Sequence, residues 1–237
     1  PRHSFGRAPM RVKLAATYIG RTAPEERLNF DFSDDQKSLK DQARKFLSEK
    51  AGARVVRRVL DDAKTSYDAE LWKGVTELGW LGAAIPEEYG GLGLGRLELC
   101  VLAEELGHAV VPIPFSSTVY FFAEALMLAG SEEQRRTLLP KVTSGELIGC
   151  FAISEGAGAP TPASIQAKFD GGALTGVKIP VTDGDCAGHA VVAAKDGAGI
   201  SLVLVDLNQP GVTRTTLKTL DPTRGHAKLE FKNAKAE

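Results

Sequence analysis

The chain is poor in several features that would assign a function at once. Its 29 Lys+Arg and 30 Asp+Glu leave a formal net charge of −1, so no surplus of either sign marks a nucleic-acid surface or an anionic-membrane surface. Its three cysteines, Cys100, Cys150 and Cys186, lie far apart, without Cys-x-x-Cys spacing and with only four scattered histidines. That pattern excludes a disulfide framework and offers no metal-ligand set. The cysteines read as reduced, mostly buried thiols of a cytoplasmic-type compartment. No apolar run approaches the roughly 20 residues of a spanning helix, so no membrane span is expected.

Residues 1–30 stand apart. The stretch "PRHSFGRAPMRVKLAATYIGR" is Arg-rich and carries no acid. It reads either as a targeting segment, which would direct the protein to the mitochondrial matrix, or as a poorly ordered extension. In both cases it lies outside the fold.

What is present is ordinary globular composition, 43% hydrophobic and 25% charged, arranged in two parts. Residues 31–146 read as a helical domain. Ser33 and Gln36 form a capping box ahead of Leu39, Ala43, Phe46 and Leu47 at helical spacing. Asp68 caps a second amphipathic helix carrying Leu71, Trp72, Val75 and Leu78. A third runs from about Leu97 to Leu106, and "STVYFFAEALMLAG" is apolar enough to be central. Ser131 and Gln134 form another capping box in a segment that Pro140 is expected to end or kink.

From residue 147 to 237 the pattern changes to short β-type runs broken by Gly, Asp-Gly and Pro-Gly turns. The fold class is therefore α+β, a helical domain followed by a small antiparallel β-barrel or sandwich domain. The seam falls in "SGELIGCFAISEGAGAPTP", and ligand sites favour such seams.

Taken alone, the motifs have modest readings. "LGWLGAAIPEEYGGLGLGRLE" is a tight Gly-rich loop. "GAGAP" is either a barrel loop or a nest of amides for a phosphate. Thr182, ahead of the Asp183-Gly184 turn, is expected to satisfy nearby backbone with its hydroxyl. The pairs Glu87/Glu88 and Glu104/Glu105 read as solvated charge, with no acid/base dyad.

In order along the chain, "LGWLGAAIPEEYGGLGLG", "GSEEQRRTLLPKVTSGELIGCFAISE", "LTGVKIPVTDGDCAGHAVVAA" and "LVLVDLNQPGV" resemble the acyl-CoA dehydrogenase family of flavoproteins over residues 30 to 237. The resemblance implies FAD and an acyl-CoA substrate, oxidised to its trans-2-enoyl form, with an electron-transfer protein as acceptor. It also implies a homo- or hetero-oligomer. Phe151, Ile153 and Ser154 would line the flavin, and Thr182 would meet its N5. Gly158 and Ala159 would approach the pyrophosphate and the acyl-CoA, with Ser154 also near the substrate.

The chain departs from the family pattern at two places. Pro180 stands where the family has a Trp over the ring. The segment around Gly158 is one residue short and lacks a Ser-Asp pair. A degenerate, non-catalytic subunit of a heteromer is therefore an alternative, as is a flavin oxidase or monooxygenase on the same scaffold. The family's base, a Glu, lies in a C-terminal helical bundle that these 237 residues are expected to lack, so no catalytic residue is assigned.

Overall fold

A computed structural model describes residues 31–62 and 65–237; the Arg-rich stretch lies outside the described residues. The chain opens with α1 (Asp34–Lys50), which begins where expected because the Ser33 and Gln36 side chains satisfy each other's backbone amides. α2 (Ala53–Asp61) follows; it starts at Gly52 without a side-chain cap but is amphipathic, with Val59 buried. α3 (Ala69–Glu77) is capped by Asp68 through the Leu71 amide. Two short 3-10 turns, Trp80–Gly82 and Glu87–Tyr89, shape the Gly-rich loop before α4 (Arg96–His108).

The central apolar stretch is a π-helix, Ser116–Ala123, continuing directly into α5 (Glu124–Ala129). α6 (Glu132–Thr143) starts at the Ser131–Gln134 capping box. Pro140 does not end it: the helix runs on to Thr143.

Seven strands make one sheet. They are β1 (Gly149–Ala152), β2 (Lys168–Asp170), β3 (Ala173–Thr182), β4 (His189–Lys195), β5 (Ile200–Asp206), β6 (Val212–Thr216) and β7 (His226–Lys235). The run β2–β3–β7–β6 and the pair β4–β5 are antiparallel. The sheet as a whole is mixed, because β1 runs parallel to β4, with Gly149 opposite His189 and Ala152 opposite Val192.

The reason shows in β4. Its Ala190, Val192 and Ala194 join one core while Val191 joins another, so both faces are covered and the strand is a continuous apolar run rather than an alternating one. Beyond β7, Glu237 and Leu204 exchange backbone hydrogen bonds of 2.6 and 3.1 Å, drawing that end of the sheet toward β5.

Helices and sheet share their cores. The first cluster unites Leu47, Trp72 and Leu102 with Leu174, Leu229 and Phe231. The second packs Phe122, Leu126 and Leu139 against Val191 and Leu204. Gly149 shows how closely they meet, since a Cβ there would lie 2.1 Å from the Phe122 ring. Among the described residues no helix is long and apolar enough to cross a membrane.

Candidate functional site

The seam between the π-helix and the sheet opens into a cleft of about 280 Å³. Strand alternation builds two of its walls. Phe151 and Ile153 flank the buried Ala152, with Ser154 next, and Pro180 and Thr182 flank the buried Val181. The π-helix supplies Ser116, Ser117 and Phe121. Thus Phe151, Ile153, Ser154, Pro180 and Thr182, separated by a long interval in sequence, line one cavity. Gly158 and Ala159 do not: they sit in the exposed loop that follows. Gly156 and Gly158 there have φ of +132° and +101°, backbone that glycine tolerates.

Three devices hold the cleft. The first is Glu155. Its carboxylate accepts the Gln166 and Ala167 amides at 2.6 and 3.0 Å and pairs with Lys178 at 2.7 Å. Lys178 Nζ also donates to the Ile153 carbonyl at 3.2 Å, and its side chain is fully buried. Burial alone would raise the Glu155 carboxyl, but Lys178 and the two amides outweigh it, so it titrates below the usual range. Burial lowers the Lys178 ammonium, against the pull of Glu155. Alongside, the Ile179 amide donates to the Ser154 carbonyl at 2.8 Å and the Gly156 amide to the Ile179 carbonyl at 2.9 Å. The Ile179–Pro180 peptide is cis.

The second device is Asp183, in the left-handed region with φ of +54° and 3% exposed. Its carboxylate accepts a hydrogen bond from Ser117 at 2.6 Å and pairs with Arg224. Burial raises its carboxyl, opposed by the Arg224 guanidinium and the Ser117 hydroxyl. The third is Thr118, whose hydroxyl accepts the Gly149 amide at 3.2 Å and faces its carbonyl at 3.3 Å. Consecutive π-helix hydroxyls therefore tie the helix to both strands that wall the cleft. A π segment at such a place is common at functional sites.

Several residues escape a reading of the sequence. Nothing local marks Ser117, Lys178, Arg224 or His226 as neighbours of the seam. The Thr182 hydroxyl lies 3.3 Å from His226 Nε2, so its partner is a side chain on β7 rather than nearby backbone. Glu105 is a correction: it is 2% exposed and is gripped by the Arg44 guanidinium at 2.8 and 3.0 Å, a fork that a carboxylate suits. The cysteines are free; Cys150 is buried and Cys100 exposed. Burial pushes the Cys150 and Cys186 thiols far up, which keeps both protonated and poor nucleophiles.

The cleft's lining holds hydroxyls, two aromatic rings and aliphatic groups, and no ionisable side chain. A flat, neutral heteroaromatic ring with a hydrogen-bonding edge suits that donor set; a phosphate or a metal ion does not.

Comparison with known proteins agrees with this architecture. The family described as acyl-CoA dehydrogenase, N-terminal domain, matches residues 33–146. The mitochondrial isovaleryl-CoA dehydrogenase of Solanum tuberosum is 32% identical over 204 residues, covering 80% of this chain and 48% of that protein. The ChsE4-ChsE5 complex from Mycobacterium tuberculosis superposes with a TM-score of 0.77 at 29% identity, over 88% of this chain and 56% of that one. A glutaryl-CoA dehydrogenase from Mycobacterium smegmatis in complex with FADH2 gives 0.74 at 26% identity, over 86% and 54%. The chain thus spans about half the length of the relatives it matches. Helical region, mixed sheet and these likenesses together place the chain in the acyl-CoA dehydrogenase family.

Proposed function

We propose that this chain supplies the helical and β portions of a flavin-dependent acyl-CoA dehydrogenase, with FAD resting its ring in the cleft at the seam. The observation that carries the reading is that Phe151, Ile153, Ser154, Pro180 and Thr182 line one uncharged cavity. On this reading Phe151 and Ile153 provide the apolar wall, and the Ser154 and Thr182 hydroxyls meet the ring's polar edge. Bound there, the flavin would accept the hydride leaving the β-carbon of an acyl-CoA thioester and pass electrons to an electron-transfer protein. Gly158 and Ala159, free of the cleft, would offer amides toward the pyrophosphate and the acyl-CoA. On this reading the carboxylate that removes the α-proton would come from a further helical bundle.

The test is to isolate the protein with its full sequence context, load it with FAD and add acyl-CoAs of several lengths without oxygen. Bleaching of the flavin absorbance supports the reading. Retention of no flavin, alone or with a co-expressed partner, overturns it.

One observation favours a second reading, a non-catalytic subunit. Pro180 stands where the family resemblance expects an aromatic cover, and Gly158 is not among the residues lining the cleft, so on this reading affinity for the ring would be reduced. One relative in structure is itself a two-component complex. Flavin stoichiometry after co-purification with an intact paralogue separates the two: one flavin per pair supports the subunit reading, and one per chain excludes it.

A further inference from the structure

Thr182 reaches the cleft, but its hydroxyl is not free to choose its polarity. His226 stands opposite Thr182 in the β3–β7 register and is not among the residues that line the cleft. The other ring nitrogen, Nδ1, lies 3.1 Å from the Arg224 carbonyl. A carbonyl can only accept, so Nδ1 must carry the proton. The neutral imidazole then has a bare Nε2, which can only accept from the Thr182 hydroxyl 3.3 Å away.

We infer that His226 is a positioning residue that turns the Thr182 hydroxyl proton away from the cleft and presents only its lone pairs to a ligand there. The inference rests on the flavin reading for its consequence, and on this chain's own atoms for its geometry. The chain assembled the relay from distant parts: Arg224 is fixed by its pair with Asp183, and its carbonyl fixes the ring. An acceptor-only Thr182 suits a ring nitrogen that carries hydrogen and repels one that presents a lone pair. Oxidised flavin presents a lone pair at N5 and reduced flavin an N–H. His226 would therefore favour the reduced ring and raise its reduction potential.

Two measurements test this. The first needs no flavin: imidazole nitrogen NMR of the protein, followed across pH so that the neutral ring is read. The Nδ1–H tautomer at His226 is expected, with its Nε2 signal moving in Thr182→Val. An Nε2–H tautomer overturns the inference whatever the protein binds. The second is the reduction potential of the flavin-loaded protein in His226→Leu, Thr182→Val and the double variant. His226→Leu should make the potential more negative, and the shift should vanish in the Thr182→Val background. An equal shift in both backgrounds would mean that His226 acts through the general field or the fold, and the positioning role would fall. Absence of flavin binding would count against the proposed function, while the tautomer measurement would still decide the role of His226.

Discussion

Ser154 and Gly158 are close neighbours in sequence, yet the structure treats them oppositely. Ser154 lines the cleft, with its carbonyl held by the Ile179 amide, and Glu155 next to it is locked to Lys178 and two amides. From Gly156 onward every residue to Pro160 is exposed, and a Cβ added at Gly156 or Gly158 would touch nothing within 4 Å. Glu155 and the Gly156 amide, which donates to the Ile179 carbonyl, are thus the last fixed points of the wall, and the loop hangs from them. The difference teaches that small side chains alone do not define a binding loop. What decides is where the backbone's hydrogen bonds go, because amides left unpaired are the ones a ligand can use.

The strongest way to break the contrast is to remove the Glu155 anchor. Glu155→Ala leaves the Lys178 ammonium buried without its partner, which should cost about 3–5 kcal/mol and unmake the cleft as well. Chemical denaturation reads it. Adding Lys178→Met should recover part of the loss, the remainder reporting the Gln166 and Ala167 amides.

The same carboxylate has a pH signature. Its folded pKa is depressed, so its contribution is fully present above the unfolded value of roughly 4.3. It is lost as pH falls through the folded value. The wild-type chain should lose stability in that acid window, and Glu155→Ala should show a flatter profile there.

Ser117→Ala tests the helix side. It removes a hydrogen bond to the buried Asp183 carboxylate and should cost about 1.5–3 kcal/mol. Because Ser117 lines the cleft, flavin retention should fall in the same variant if the seam holds the ring. Gly158→Ala is the smallest change. Its φ of +101° is hard for a residue with a Cβ, so about 1 kcal/mol of strain is expected in the folded loop. The cleft should be untouched, and a stability loss as large as that of Glu155→Ala would erase the contrast between wall and loop.

Much of the fold is legible because its signals are local. The Ser33 and Ser131 capping boxes set helix starts within a few residues of themselves. The β-type runs after residue 147 announce the strands. α2 has a clear apolar face of its own, with Val55, Val56, Val59 and Leu60 turned in and its arginines turned out, but no side-chain cap and no acid in the first turn mark where it starts. The site is a different case. Its residues were named through resemblance to a family, while periodicity and spacing alone gave Thr182 and the Gly-rich loop only ordinary readings.

By itself the amino-acid sequence determined the element types, most of their boundaries and the change from helix to strand, all of which follow from propensities acting over one or two turns. Tertiary structure decided the parallel pairing of β1 with β4, the burial of Glu105 under Arg44, and the junction of Ser117 with Asp183 across 66 positions. Those choices have no local signature. They depend on which surfaces meet when the chain closes, and a carboxylate reads as solvated charge until the fold carries a guanidinium or a hydroxyl to it.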